Sequence, residues 1–146
     1  MKEALKEAKK AYMIGEIPVG AVVVYEGKII ARGHNLREKK QSVLEHAELV
    51  AIKKANKKIG SWRLEECDLY VTLEPCPMCA GAIIQSRIKN LYFGAYDLKT
   101  GAAQSVLSLF DYRFNHLVKF SGGMMQEECS MLIKDFFKEL RKEKSC

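Results

Sequence analysis

Apolar positions along the chain change their period several times, and each change marks an element. Ala4, Leu5, Ala8, Ala11 and Tyr12 share one helical stripe with lysines between them, which predicts a first helix over residues 2–14 ending near Gly15. Two β-branched runs follow, residues 19–25 and 28–33, on either side of Glu26-Gly27, a pair suited to a tight hairpin turn. The first run is apolar throughout, as a strand covered on both faces should be.

A polar, lysine-bearing loop is expected over residues 34–43, and then a second helix from Leu44 to Lys58. Its Leu49, Val50, Ile52 and Ala55 are apolar, while Lys53, Lys54, Lys57 and Lys58 cluster on a face that is either solvated or a stripe for RNA phosphates. Gly60-Ser61-Trp62-Arg63 breaks the pattern before a central third strand, residues 68–73. A third helix over 78–86 leads to a fourth strand, 90–95, parallel to the third because a helix crosses between them. A short helix is expected within residues 106–110, and the apolar segment 116–120 reads as a fifth strand; the connection is long enough for a crossover and a parallel pairing. Gly122-Gly123 precedes a last helix over 125–143, with Met131, Leu132, Phe136 and Leu140 on a buried stripe and Lys134, Lys138, Arg141, Lys142 and Lys144 on a basic side. Phe136 and Phe137 are adjacent, so one faces the core and the other is left to stack on a nucleobase or to pack between two copies of the chain.

The chemistry concentrates in Thr72-Leu73-Glu74-Pro75-Cys76-Pro77-Met78-Cys79-Ala80-Gly81. The two prolines force an abrupt entry into a helix, so Cys76 and Cys79 share its first turn, where the helix N-terminus favours thiolates. His46 is the candidate third ligand for zinc, and three protein ligands leave a fourth position for water, as in a catalytic site. Glu48 lies two residues after His46, near enough to manage that water's protons without being a ligand. On an ideal helix His46 and Glu48 point about 200° apart, so both are expected at its N-terminal end. Two alternatives compete: a closed structural site with Cys67 or His34 as fourth ligand, and a free redox dithiol.

An HxE followed by PCxxC is the signature of zinc nucleobase deaminases, with the Glu as general acid and base. With His46-Ala47-Glu48 and Pro75-Cys76-Pro77-Met78-Cys79, the chain resembles the cytidine/deoxycytidylate deaminase superfamily, and within it the bacterial tRNA-specific adenosine deaminases. The similarity extends to Ile17–Val23, Gly33-His34-Asn35, Leu69–Cys76, Ser86-Arg87-Ile88 and Asp97–Ala103. It implies a three-layer α/β/α cytidine-deaminase-like fold, with a mixed five-stranded sheet whose strands four and five are parallel. It also implies one zinc ion per subunit on His46, Cys76 and Cys79, and hydrolytic deamination of the wobble adenosine to inosine in a tRNA anticodon loop. Water attacks C6 of the flipped-out adenine, Glu48 takes a proton and protonates N1, and ammonia departs.

The resemblance further implies that Asn35 hydrogen-bonds the purine, that the Ala47 N–H helps to orient it, and that Val19 and Leu73 line its pocket. From composition alone Asn35 serves equally as a turn cap. Asp97 is expected either to contact the substrate backbone or ribose, or to cap the turn at Lys99-Thr100. Phe137 is a candidate stacking residue. Tyr96 stands before Asp97, where an arginine would have been an easier phosphate ligand. A homodimer is implied, with each site completed by its neighbour.

The 146 residues, 48% hydrophobic and 29% charged, suit a single domain over 1–146. The formal charge of +6 leans towards a polyanionic partner, here the anticodon stem-loop. Cys67, Cys129 and Cys146 lie outside the proposed site; the odd cysteine total and the amphipathic opening lead us to expect a cytoplasmic protein without a membrane span. Two other functions use the same residues: a free-base or nucleoside deaminase acting on guanine or cytidine, and an RNA-binding module with structural zinc. The Asp97–Ala103 segment and the basic last helix favour RNA.

Overall fold

A computed structural model of the chain describes residues 1–145; Cys146, expected in a frayed end, lies outside the described residues. The strands are Gly20–Tyr25 (β1), Lys28–His34 (β2), Cys67–Leu73 (β3), Asn90–Ala95 (β4) and Lys119–Ser121 (β5). They form one sheet in the order β2-β1-β3-β4-β5. β1 is antiparallel to β2 and β3, and β3, β4 and β5 run parallel. The expected mixed sheet with a parallel last pair is therefore present.

The helices are Lys2–Met13 (α1), Arg37–Lys40 (α2), Ala47–Ile59 (α3), Pro77–Gln85 (α4) and Gln126–Lys144 (α5). They cover both faces of the sheet, and glycines set how closely. A Cβ on Gly20 would come 2.0 Å from the Ala4 carbonyl oxygen and 2.3 Å from the Ala8 nitrogen of α1. A Cβ on Gly33 would meet the Ala47 oxygen and Ala51 nitrogen of α3 at 2.7 Å. Gly33 pairs with Ala21, the neighbour of Gly20, so strand alternation puts the two glycines on opposite faces. Val23, Leu69, Val71, Leu91 and Phe93 pack with Ala51, Ala55, Ile83 and Ile84 in the main core. A smaller cluster gathers Leu5, Ala95 and Cys129.

Four features differ from expectation. The helix expected from Leu44 begins at Ala47, because the Ser42 hydroxyl takes the Leu44 N–H and the Glu45 carbonyl takes the Leu36 N–H, which commits this backbone to a loop. The expected loop contains α2, whose Glu38 and Lys39 N–H groups are capped by the buried carboxylate of Glu16, 22 and 23 residues upstream. In place of a helix over 106–110 there is a single 3₁₀ turn, Leu109–Asp111, which buries Phe110. The fifth strand starts at Lys119 rather than His116, whose ring bonds the Ile88 carbonyl at 2.7 Å.

Candidate active site

β3 ends at Leu73, and Glu74-Pro75-Cys76 turns the chain into α4. Pro77 occupies the first helical position, where its missing N–H costs nothing and its fixed φ suits the helix. Cys76 is the N-cap, with extended backbone at φ −74° and ψ 173°, and Cys79 lies one turn inside, fully buried. α3 arrives from the other side with His46 as its N-cap at φ −71° and ψ 150°. Two helix N-termini thus converge beyond the end of β3, and both favour negative charge there. This also resolves the angular conflict between His46 and Glu48: the histidine precedes the helix, and the glutamate is in its first turn.

His46 Nδ1 is 3.6 Å from Cys76 Sγ and 3.4 Å from Cys79 Sγ. The three donor atoms all lie within 4.8 Å of one another. A tetrahedral zinc with nitrogen and sulfur ligands at their usual bond lengths separates N from S by about 3.5 Å, so both the donor set and its spacing fit that ion. The alternative fourth ligands stand elsewhere. Cys67 is buried at the start of β3, the far end of the strand, and His34 Nδ1 is 3.2 Å from a Glu7 carboxylate oxygen.

The charges are coupled. Cys76 is pushed down to about 4, chiefly because the Cys79 thiol hydrogen-bonds its sulfur, with His46 adding to the effect against burial. Cys79, which keeps that proton, is pushed far up. His46 is raised by its hydrogen bond to Cys76. Glu48, only 4% exposed, is pushed up to about 7, first by burial and further by the Cys76 charge. A proton-carrying carboxyl that ionises near neutrality is suited to acid and base work in turn.

These groups open into a cavity of about 170 Å³. Of the residues expected on the substrate side, Val19, Asn35, Ala47, Leu73 and Asp97 all line it, together with Glu48, His46 and Cys76. Phe137 does not. It lines a neighbouring cavity of about 420 Å³ that shares Ile17, Leu73, Asp97 and Thr100 with the first. Phe136 is its buried neighbour, edge-on to Tyr12 with ring centres 5.6 Å apart.

Asn35 and Asp97 both serve as the caps that composition alone allowed. Asn35 Oδ1 accepts the Arg37 N–H, and its Nδ2 donates to the Ile17 carbonyl. Asp97 Oδ1 accepts from the Lys99 and Thr100 N–H groups, and its Oδ2 accepts the Thr100 hydroxyl. Because both also face the cavity, capping fixes the side chains that border it. The sequence reading missed Ile17, Arg37, Glu74 and Thr100 on the cavity wall. Arg37 follows Asn35 by two residues and Glu74 precedes Cys76 by two, so proximity to singled-out residues was the available signal.

The family model for MafB19-like deaminases matches residues 1–141, so the chain belongs to that class of deaminases. The chain is 53% identical over 145 residues to the tRNA-specific adenosine deaminase of Bacillus subtilis, covering 99% of this chain and 90% of that one. It belongs to the tRNA-specific adenosine deaminase family. A solved structure from biochemical and structural studies of A-to-I editing by tRNA:A34 deaminases at the wobble position of transfer RNA superposes with a TM-score of 0.88. That relative is 41% identical, with 90% of this chain and 96% of that chain covered. The guanine deaminase from Nitrosomonas europaea matches with a TM-score of 0.81 at 20% identity, covering 92% of this chain and 81% of that one, and shares the fold.

Proposed function

We propose that the protein is a zinc-dependent hydrolase that converts the wobble adenosine of a tRNA anticodon loop to inosine, as a single domain over residues 1–146. The observation that carries this is the conjunction of 53% identity to a tRNA-specific adenosine deaminase over nearly the whole chain with a buried Glu48 beside a His46-Cys76-Cys79 donor set.

His46, Cys76 and Cys79 would hold the zinc, which when bound would supply the Lewis acidity that makes water reactive near neutral pH. Glu48 accepts a proton from the attacking water and delivers one to N1 of the purine as the C6–O bond forms. Breakage of the C6–N bond then releases the amine as ammonia, its last proton relayed by the same carboxyl. The Ala47 N–H, among the first in α3 and so without a helical acceptor, points its donor capacity at the ring. Asn35 adds its remaining amide capacity, Val19 and Leu73 provide the apolar walls, and Asp97 meets the ribose or backbone. Phe137, in the adjoining cavity, stacks on a neighbouring base of the loop.

The active unit is a homodimer, an assignment supported by exposed Val106, Leu107, Tyr112, Phe114 and Leu117. A cytoplasmic location follows from the substrate; among the described residues no helix is long and apolar enough to cross a membrane. The reading is tested by supplying a synthetic anticodon stem-loop with a wobble adenosine beside free guanine, adenosine and cytidine. Inosine from the RNA alone is expected. Release of ammonia only from a free base or nucleoside overturns the RNA assignment, and silence from all with zinc bound favours a structural-zinc module.

A further inference from the structure

One part of the cavity wall is built on a single buried carboxylate. Glu74 is 2% exposed, yet it is neither a member of the donor cluster nor within the catalytic helix turn. Its Oε2 accepts the N–H groups of Ala103, Gln104 and Ser105 at 3.1, 2.9 and 3.0 Å. Its Oε1 accepts the Asp97 N–H at 3.0 Å and the Ser105 hydroxyl. Five donors converge on a carboxylate with about four acceptor sites, so the group is saturated, and buried donors left without it would each carry a desolvation cost.

The loop is shaped to this group. A Cβ on Gly101 would lie 2.4 Å from Glu74 Cδ and 2.5 Å from the Asp97 carbonyl oxygen, so only glycine lets the chain pass between them. The Gly101 N–H donates to the Asp97 carbonyl and the Ala102 N–H to the Pro75 carbonyl, which closes residues 97–102 around the carboxylate. Asp97 in turn braces Lys99 and Thr100 through its own side chain. The Asp97–Thr100 turn is therefore a rigid unit whose leading end hangs from Glu74, and Asp97 and Thr100 are the residues this unit presents to the cavity.

The geometry points to Glu74 as a positioning residue that sets substrate affinity: it holds the Asp97–Thr100 turn at the height where that turn meets the nucleotide, without touching the reacting atoms. This rests on the tRNA reading above. Glu48, His46 and the purine-facing Ala47 N–H belong to α3 and its cap, so a shift of the turn alters binding and leaves the proton-transfer geometry in place.

Glu74→Gln makes the distinction sharply. With its carbonyl oxygen towards the three N–H groups of residues 103–105, the variant must turn its NH₂ against the Asp97 N–H and the Ser105 hydroxyl; the hydroxyl rotates to accept from the amide, so the Asp97 bond is the one lost. In the zinc-loaded enzyme with the stem-loop substrate, KM is expected to rise ~10-fold or more, the loss typical of one hydrogen bond to a charged group. kcat should stay within about threefold and zinc at about one per chain, the ligand set being untouched. Gly101→Ala, which wedges Glu74 and Asp97 apart, is expected to give the same signature.

A purely architectural role predicts instead an unchanged KM with fewer active molecules, and that result, or zinc lost in step with activity, overturns the proposal. Amide hydrogen exchange of the unaltered enzyme keeps the question decidable if the variants do not fold. The Asp97 and Ser105 amides should exchange at least ~100-fold more slowly than the Leu98 amide, which lies outside the carboxylate's reach; equal rates overturn the proposal. An unaltered enzyme that makes no inosine overturns the substrate reading, which is distinguishable from an active enzyme whose KM the variants share.

Discussion

His46 Nδ1 stands 3.4 Å from Cys79 Sγ although the two residues are 33 apart in sequence. Two helices that begin beyond the same end of β3 bring them together, one capped by His46 and the other entered through Cys76 and Pro77. Replacing Cys79 with Ser removes a soft thiolate from this set. Zinc retained after dialysis should fall to below about a tenth of the unaltered level, with turnover falling in parallel. Metal analysis by mass spectrometry checks this; full zinc retention would show that Cys79 is not a ligand.

Gly20 and Gly33 let α1 and α3 seat on opposite faces of the sheet, and neither position has room for a Cβ. Alanine at Gly20 should destabilise the fold by about 1–3 kcal/mol, which is roughly 2–4 °C of Tm per kcal/mol at this chain length. Gly81, inside α4, has nothing within 4 Å of where its Cβ would be. Alanine there should stabilise by about 0.5–1 kcal/mol through helix propensity. Thermal melts of the two variants should move in opposite directions.

Glu7 is buried in α1 with Lys10 and His34 on its two oxygens. Burial pushes its carboxyl up, but hydrogen bonds from Lys10 and His34 outweigh it and the net shift is downward from 4.5. A depressed carboxyl stabilises the fold fully above its unfolded value and loses that contribution as pH falls through the folded value. The Tm difference between the unaltered protein and Glu7→Gln should therefore be largest above pH 4.5 and shrink as the solution is acidified below it. A difference that grows on acidification would contradict the assignment.

Lys99, Lys134 and Arg141 border the cavities beside Phe137. If they neutralise phosphates flanking the target base, stem-loop affinity falls with salt, and replacing any one with Ala lowers the log–log slope by about 1. Fluorescence anisotropy at several salt concentrations reads the slopes, and three unchanged slopes would exclude this face as the RNA track.

The parallel β3-β4-β5 arrangement was legible because the helix between β3 and β4 and the long connection before β5 dictate it. The donor set was legible because Cys76 and Cys79 share one helical turn and His46 has Glu48 two residues on. What escaped the sequence depends on distant partners. The start of α3 could not be placed, since Leu44 fits the apolar period but its N–H goes to the Ser42 hydroxyl. Nothing local in the sequence marks Glu16 or Glu74 as buried, yet each lies under backbone N–H groups 22 to 31 residues away. Phe137 was correctly separated from Phe136 by helical geometry, but which cavity it would join depends on how α5 docks.

In the proposed mechanism Glu48 moves the protons beside a zinc held by His46, Cys76 and Cys79. The direct measurement is inosine formation from the wobble-adenosine stem-loop by Glu48→Ala, with its zinc content determined on the same sample. Zinc is expected at the unaltered level and turnover reduced by ~10²–10⁴-fold, the usual worth of a general acid–base group. Substantial inosine formation by the zinc-loaded variant would contradict it.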